Sequence, residues 1–110
     1  MGLPAPVSRS TSAVWWLYVV RTAHGALYTG ITTDVARRVA QHADGSGARS
    51  LRGKGPLQLA ARWRVGNRSE ALVLEARLKR LPRAHKLMLV ERRRPLAVVR
   101  EVLAGIRGLP

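Results

Sequence analysis

The sequence predicts an α+β fold: a three-stranded antiparallel sheet flanked by helices, in the order β-β-α-β-α-α, with an extra helix at the C-terminus. Three observations support this prediction. Two strongly apolar segments, residues 14–21 and 26–31, are separated by a short turn, as in a β-hairpin. Residues 57–65 alternate apolar and polar side chains with the period of a strand. Apolar residues elsewhere in the chain recur at helical spacing.

The first predicted strand, residues 14–21, is apolar on both faces, which is typical of a central strand. The turn that follows decides its register with the second strand. A turn with Gly25 in a left-handed conformation, forming a bulge, would set Tyr18 opposite Tyr28. A four-residue loop would instead set Tyr18 opposite Thr29. We predict the bulged form, which places both phenols on one face of the sheet.

A helix is predicted after the hairpin, with Thr33 or Asp34 as its N-cap and an end near Ala43. Val35 and Val39 form an apolar pair on this helix and give it a buried face.

The same helix carries two pairs of polar residues. Arg38 and His42 are one turn apart on the inward stripe, whereas Arg37 and Gln41 fall toward solvent. We therefore expect Arg38 and His42 to lie against the hairpin. A structural salt bridge is the competing interpretation, but few acidic residues are close in sequence.

Residues 44–56 combine four glycines with the cations Arg49, Arg52 and Lys54, which predicts a mobile basic loop. The loop is either a linker or a set of cations and backbone amides that hold phosphates. The third strand, residues 57–65, should follow it. Its apolar residues are predicted to face the core: Leu57, Leu59, Ala61, Trp63 and Val65. Its polar residues are predicted to face outward: Gln58, Arg62 and Arg64.

A second helix should begin at Asn67 or Ser69, with a buried stripe of Ala71, Leu74, Leu78 and Leu81. Glu75 also lies on that stripe. A carboxylate that faces a core must be neutralised, hydrogen-bonded or bound to a cation. An internal ion pair with an arginine is the simplest explanation.

Pro82 should end this helix, and residues 83–92 should form the next, with Leu87, Val90 and His85 facing inward. The terminal helix is predicted from the spacing of Leu96, Val99, Leu103 and Ile106. We divide the chain into a flexible tail at 1–13, a folded domain at 14–92 and a helical C-terminal extension at 93–110.

The charge balance indicates a polyanionic partner. The chain has 110 residues, with twenty Lys and Arg against six Asp and Glu, a formal net charge of +14. Such a surface attracts phosphate backbones, although a solvated surface in an arginine-rich protein is the plainer interpretation. There is no cysteine, which excludes disulfides and thiolate zinc sites and suggests the cytoplasm. We expect neither a membrane span nor a signal peptide.

The ordered motifs resemble the GIY-YIG nuclease domain. The sequence has LYV, then YTG ten residues later, then an arginine and a histidine on the next helix and a glutamate on the helix after the third strand. Three segments, LYTGITTDVARRVAQH, LRGKGPLQLA and RSEALVLEARLKRL, are similar to the small stand-alone bacterial GIY-YIG proteins. The resemblance covers residues 16–91, and the ordered series is more specific than any single motif.

The resemblance implies roles for five residues: Tyr18 in the first motif, Tyr28 in the second, Arg38 as catalytic arginine, His42 one turn later, and Glu75 as ligand of Mg²⁺ or Mn²⁺. Gly30 completes the second motif, and we assign it with four cations to nucleic-acid binding: Arg37, Arg49, Arg52 and Lys54. Arg38 would contact the non-bridging phosphate oxygens. Either tyrosine could activate water, and His42 is expected to support the site rather than to donate the key proton.

The sequence departs from the family at several positions. Trp16 and Leu17 replace glycine and isoleucine of the first motif, and Thr29 replaces an isoleucine of the second. Many members also carry an asparagine after the metal-binding helix, whereas Asn67 precedes it here. Three explanations are open: the smaller proteins do without this asparagine, polar contacts come instead from Arg83, His85 or Lys86, or the activity is weak.

The expected function is a metal-dependent endonuclease that acts on DNA, with RNA left open, guided by structure or single-strandedness rather than base sequence. The alternative is a nucleic-acid-binding protein that has no turnover or is activated by a protein partner or as a homodimer. A purely structural basic protein is a third interpretation, and it requires Glu75 to form a core ion pair.

Overall fold

The computed structural model describes residues 13–105, which form a three-stranded antiparallel sheet and four α-helices. The elements are β1 (Trp15–Arg21), β2 (Leu27–Thr32), α1 (Val35–Ala43), β3 (Gln58–Gly66), α2 (Arg68–Arg80), α3 (Arg83–Glu91) and α4 (Leu96–Leu103), with a short 3₁₀-helix at Arg49–Leu51. The predicted α+β fold and element order are confirmed. Ile106 and nearly all of the predicted tail lie outside the described residues.

The strand order β2-β1-β3 makes β1 the central strand. Leu17 and Val19 face a hydrophobic cluster that includes Trp63 and is covered by α2, α3 and α4. Tyr18 and Val20 face a second cluster on the opposite side of the sheet. Because both faces of β1 are covered, its four middle residues are buried, as its apolar sequence predicts.

The hairpin turn places both tyrosines on one face, but not opposite each other. Gly25 has a left-handed φ of 86°, as predicted, and the turn closes where the Thr22 N–H donates to the Ala26 carbonyl at 2.9 Å. This closure sets Tyr18 opposite Gly30 and Tyr28 opposite Val20. The predicted pairing of Tyr18 with Tyr28 is therefore wrong by two residues. Since a two-residue shift preserves the face of a strand, the phenols still share a surface.

The third strand departs from its predicted alternation at Leu59. In its pairing with β1, Val19 lies opposite Ala61 while Val20 lies opposite Leu59, so a β-bulge interrupts the ladder. The bulge turns Leu59 outward, and 38% of this residue is exposed. The prediction that Leu59 faces the core is wrong for this reason.

The loop between α1 and β3 is folded onto the domain rather than forming an open linker. Leu51 is only 5% exposed and packs in the cluster on the Tyr18 face. Backbone hydrogen bonds hold both ends of the loop: the Gly47 N–H donates to the Gln41 carbonyl, and the Ala23 N–H donates to the Lys54 carbonyl.

The helices begin at side chains that cap them. The Asp34 carboxylate accepts the Arg37 N–H at the start of α1, as predicted. Asn67 and Glu70 form a capping box at the start of α2. Within residues 13–105, no helix combines the length and the apolar character that crossing a membrane requires.

Helix α3 does not bury His85, contrary to the prediction. Its buried residues, Leu89 and Val90, both lie near its C-terminal end, so the first turn with His85 stays exposed. The terminal helix α4 contributes Val99, which is fully buried in the cluster of Leu17.

Candidate active site

A buried hydrogen bond between Tyr18 and His42 lies at the centre of the candidate site. The Tyr18 Oη and His42 Nε2 atoms are 2.8 Å apart, and the two residues are 1% and 2% exposed. Tyr28 contacts the same imidazole edge-on, with ring centroids 5.3 Å apart and planes at 66°. The hairpin and α1 thus bring three of the predicted residues together.

The surroundings of His42 determine its tautomer. The backbone N–H of Ala48 donates to Nδ1 at 3.0 Å, so Nδ1 is an acceptor and carries no proton. In the neutral imidazole the proton must then lie on Nε2, which donates it to the Tyr18 oxygen. Burial, together with the charge of Arg38, lowers the pKa of His42 and maintains the neutral form. The Tyr18 hydroxyl proton therefore remains available to another acceptor.

Tyr18 interacts electrostatically with every other residue of the predicted catalytic set. Burial raises its pKa from 10.0 to about 12, against the effect of a hydrogen bond and the positive charge of Arg38. Negative charge on Tyr28 and Glu75 adds to the increase. Tyr18 is consequently a neutral phenol near pH 7, able to donate a hydrogen bond but not to take up a proton.

Two glycines make room for this pair of side chains. A Cβ at Gly30 would lie 2.5 Å from the Tyr18 hydroxyl oxygen, which no real side chain allows. A Cβ at Gly47 would overlap His42 Nδ1 and approach the His42 backbone nitrogen at 2.8 Å. The first glycine lets the phenol lie across β2, and the second lets the loop approach α1.

Arg38 lines an open cleft of about 290 Å³ beside α1. Its Nη1 donates to Gln41 Oε1 at 3.1 Å, and both residues are half-buried. Gln41 was predicted to face solvent; its bond to Arg38 explains why it does not. Trp15, Arg37 and Asp34 also line the cleft, so a ligand there would meet an aromatic ring, two cations and one carboxylate.

Glu75 pairs with a lysine rather than with the expected arginine. Its Oε2 is 3.5 Å from Lys79 Nζ, one helical turn away, and the side chains are 19% and 52% exposed. The Glu75 side chain is therefore mostly buried but not enclosed in the core, and part of it reaches solvent.

A divalent cation at Glu75 would be held by one carboxylate. Among the residues that the structure describes, no group of three or more His, Cys, Asp or Glu is arranged for metal binding. A hard cation such as Mg²⁺ prefers oxygen ligands and keeps several waters, so a single accessible carboxylate fits it, whereas a closed zinc site is ruled out for these residues.

The predicted phosphate-binding cations differ in how they are held. Arg37, Arg49, Arg52 and Lys54 are all exposed. The Arg52 Nε donates to the Gly45 carbonyl at 3.1 Å, which fixes its side chain along the loop. Arg49 begins the 3₁₀-helix.

The sequence matches one family over most of its length. Residues 14–88 match the family described as the GIY-YIG catalytic domain. The chain belongs to the GIY-YIG family. This confirms the resemblance drawn from the motifs, and it places the chain among domains of nuclease type.

The relatives of this GIY-YIG domain are small bacterial proteins. A UPF0213 protein of Citrobacter koseri is 60% identical over 76 residues, covering 69% of this chain and 76% of the relative. The UPF0213 protein YhbQ of Salmonella typhimurium is 58% identical over 79 residues, covering 72% and 79%. A solution NMR structure of a UPF0213 protein from Bacillus halodurans has 36% identity and a TM-score of 0.49, covering 83% of this chain and 97% of that one.

The single asparagine of the sequence, Asn67, precedes the helix that carries Glu75. Asn67 is used as the N-cap of α2, where its side chain accepts the Glu70 N–H at 2.9 Å. Of the three candidates to replace an asparagine after this helix, Arg83 donates to the Gly25 carbonyl at 2.8 Å, His85 is exposed and Lys86 is half-buried.

Sequence reasoning missed Gly47 and Ala48 in this GIY-YIG domain. Their contribution comes from backbone, through a donated N–H and the absence of a Cβ, so residue type alone does not reveal it. The one available signal was the GSG segment directly after the helix that carries His42.

Proposed function

We propose that this chain is a divalent-metal-dependent endonuclease that hydrolyses phosphodiester bonds in DNA and selects its substrate by structure or single-strandedness rather than by base sequence. The observation that carries the proposal is the Tyr18–His42 hydrogen bond, with Tyr28, Arg38 and Glu75 acting on the same group. Phosphodiester hydrolysis requires a positioned water, charge neutralisation at phosphorus and help for the leaving oxygen.

Arg38 supplies the charge neutralisation. Its planar guanidinium can donate to two non-bridging oxygens as negative charge accumulates, and its bond to Gln41 holds it at the wall of the cleft.

Tyr18 and Tyr28 have different roles in the remaining parts of the proposed reaction. Tyr18 keeps its proton because its pKa is about 12, and His42 already donates to its oxygen, so we assign its O–H as the donor to the leaving oxygen of the substrate. We therefore assign the positioning of the attacking water to Tyr28, which lies beside the same imidazole and is only half-buried, so that its hydroxyl oxygen can accept a hydrogen bond from the water. The proton that the water loses would pass to solvent. His42 positions Tyr18 and exchanges no proton with the substrate.

Glu75 would hold the metal ion, Mg²⁺ or Mn²⁺, with water or substrate oxygens as the other ligands. When bound, the ion supplies Lewis-acid stabilisation of the negative charge on the phosphoryl group. The Glu75 side chain is 19% exposed, and Lys79 neutralises its carboxylate in the absence of the ion.

Cleavage of branched, duplex and single-stranded DNA with Mg²⁺ or Mn²⁺ tests the proposal. Arg38→Ala and Glu75→Gln are each expected to lower the cleavage rate by roughly 10²-fold or more, as for loss of other transition-state donors. Arg80→Ala on α2 and Glu101→Gln on α4 remove the same charges elsewhere and should cleave at the wild-type rate. Cleavage that survives in both Arg38→Ala and Glu75→Gln would contradict the assignment.

Lys79 offers a separate test of the metal site. Its ammonium, 3.5 Å from the Glu75 carboxylate, opposes a cation bound there. Lys79→Ala should tighten Mn²⁺ binding about fivefold, because the ammonium–carboxylate attraction of about 1 kcal/mol in water no longer competes with the ion. Electron paramagnetic resonance of free Mn²⁺ measures the affinity without any turnover. Equal Mn²⁺ binding by wild type and Glu75→Gln would remove Glu75 from the metal site.

One observation favours the alternative of a nucleic-acid-binding protein without turnover, or one that a partner activates. Asn67 is committed to capping α2, so the polar group that many family members place after this helix is not supplied by asparagine. The cleavage panel separates the two functions, because DNA binding without metal-dependent product would support the alternative.

A further inference from the structure

An arginine-lined groove runs along the outer edge of β3, and none of the proposed catalytic residues lines it. Its main cavity measures about 490 Å³ and adjoins another of about 370 Å³, with Leu59, Ala60 and Arg93 shared between them. We call this the β3-edge groove. Because the strand order is β2-β1-β3, this edge of the sheet pairs with no other strand of the described chain.

The ionisable residues that line the groove are mostly positively charged. Arg62, Arg93 and Arg94 line the main cavity, and no carboxylate among the described residues lines it. The adjoining cavity adds Arg21, whose Nη2 is 3.5 Å from a Glu91 carboxylate oxygen. A cavity with four arginines and one carboxylate attracts an anion.

Two donors on the groove have no acceptor. Within residues 13–105, the buried side-chain nitrogen and oxygen atoms without a hydrogen-bond partner are Arg21 Nε and Arg94 Nε. Arg94 lines the main cavity and Arg21 the adjoining one. Buried N–H groups in proteins are nearly always paired, so water or a bound ligand must supply an acceptor for these two donors, because no protein group among the described residues does so.

The turn that presents these arginines is held in a strained conformation. Arg93 has a left-handed φ of 49°, which is rare for a residue with a Cβ. Three hydrogen bonds hold it: the Arg93 N–H to Val90 O, the Arg94 N–H to Leu89 O, and Trp63 Nε1 to Arg94 O at 2.7 Å. The groove is thus preorganised.

Arg62 connects the groove to the candidate active site. It lies directly opposite Tyr18 in the β1–β3 pairing and also lines the groove. Its guanidinium lies 5.4 Å from the ring centroid of Trp16, which steers it along the face of the sheet that carries Tyr18. A polyanion on the active-site face can therefore continue over β3 into the groove.

We propose that the β3-edge groove binds the sugar–phosphate backbone of the DNA substrate at a distance from the scissile phosphate, with Arg93 and Arg94 as the main phosphate ligands. The inference rests on the proposed function for the identity of the polymer. A DNA strand bound in this way would extend from the active site across β3 into the groove. The groove would then increase the affinity for DNA without contacting the reacting atoms.

Binding of fluorescently labelled duplex and single-stranded DNA in a chelator, where no cleavage occurs, tests the groove. The double variant Arg93→Gln and Arg94→Gln should weaken binding roughly tenfold and lower the salt slope of the affinity by about two, as for the loss of two phosphate contacts. The matched control is Arg77→Gln with Arg80→Gln on α2, which removes the same charge and should change the affinity less than about twofold. Equal weakening in both double variants would overturn the proposal.

A cross-linking experiment covers the case in which the arginine variant fails to fold. The photoreactive amino acid p-benzoylphenylalanine replaces Leu59 in the groove or Leu72 on α2, which are 38% and 37% exposed in the wild type. DNA should cross-link at Leu59 at least roughly fivefold more than at Leu72, because phosphate contacts hold the strand near the groove. Equal cross-linking yields at the two positions would overturn the proposal. Displacement of DNA from the groove by polyglutamate at equal charge concentration would also overturn it, because that result would indicate an acidic protein partner.

These readouts need no catalysis. If the protein does not cleave DNA but the double variant binds DNA more weakly than the wild type, the groove proposal is supported and the nuclease proposal is contradicted. If the protein cleaves DNA and the double variant binds DNA as tightly as the wild type, the nuclease proposal is supported and the groove proposal is contradicted.

Discussion

At the scale of single residues, the hydroxyl of Tyr18 is held between a neutral imidazole and a permanent cation. His42 donates to it from one side, while the hydrogen bond from Arg38 limits how far burial raises its pKa. The phenol keeps its proton, yet it lies next to a group that would stabilise a phenolate. Its role is therefore fixed by the surroundings rather than by the ordinary acidity of tyrosine.

Tyr18→Phe should change both the stability and its pH dependence. The variant leaves the His42 Nε2–H without an acceptor, so unfolding at about pH 8 should cost about 1–3 kcal/mol less than in the wild type. In the unfolded chain tyrosine ionises near pH 10, whereas folded Tyr18 holds its proton to about 12. The wild type should thus lose about 2–3 kcal/mol as the pH rises from 10 to 12, a loss absent from Tyr18→Phe.

Urea unfolding across this pH range measures the effect, with Tyr28→Phe as the matched phenol control. Tyr28→Phe should retain the alkaline loss of the wild type. A parallel loss in the wild type and Tyr18→Phe would show that Tyr18 is not the group responsible.

At the scale of elements, the loop after α1 acts as a support for the helix it follows. The Ala48 N–H fixes the imidazole of His42, and the Gly47 position allows the approach. The helix alone would leave His42 free to adopt either tautomer.

Gly47→Ala should separate the loop from His42. The added Cβ would overlap the imidazole, so the Ala48 N–H should lose its acceptor and exchange faster with solvent. The pKa of His42, lowered by burial in the wild type, should rise toward 6.5 as the ring becomes exposed. NMR of ¹⁵N-labelled histidine should show protonated Nε2 and bare Nδ1 in the wild type near pH 7.

Gly53→Ala is the control for backbone strain in the same loop. Gly53 has a left-handed φ of 70°, but a Cβ there meets nothing within 4 Å. Its substitution should destabilise the protein without altering the His42 resonances. Identical spectra for wild type and Gly47→Ala would contradict the support role of the loop.

The elements also show how far sequence reasoning reaches. The positions of strands and helices could be predicted, because the spacing of apolar residues and capping residues such as Asp34 can be read directly from the sequence. The residue opposite Tyr18 on β2 could not be predicted, because backbone hydrogen bonds decide that the turn closes at Thr22 and Ala26. Leu59 was mispredicted because a single bulge reverses a face.

The candidate site divides in the same way. Side chains that carry chemistry, such as Tyr18 and Arg38, could be named from the sequence. The Lys79 partner of Glu75 could have been inferred from the spacing of four residues, but the choice between lysine and the many arginines depends on geometry. The backbone donor at Ala48 has no signature in residue type.

At the scale of the whole molecule, some of the cations behind the net charge of +14 lie in three separate regions. Arg38 serves the cleft beside α1, the loop cations Arg49 and Lys54 are free to approach phosphates, and Arg93 and Arg94 line the opposite edge of the sheet. A polyanion that touches all three regions would release many counterions.

DNA affinity should accordingly depend steeply on salt. With six or more phosphate contacts, the affinity should fall by at least about 10³-fold between about 50 and 200 mM salt. Arg38→Ala should reduce the slope of log affinity against log salt concentration by about one, while Glu101→Gln should leave it unchanged. Fluorescence anisotropy measures both slopes. A salt-independent affinity would contradict a phosphate-based interface.

The burial of β1 on both faces has a consequence for how substrates are chosen. Tyr18 alternates along this strand with Leu17 and Val19, so the phenol belongs to a segment that moves only if the core opens. In the proposed complex this strand would adapt little to a bound nucleic acid, so most of the deformation near Tyr18 would come from the nucleic acid. Junctions, flaps and unpaired segments bend at lower cost than a continuous duplex. A preference of the protein for such structures would then arise because they bend more easily than a continuous duplex, whereas β1 of the protein changes little.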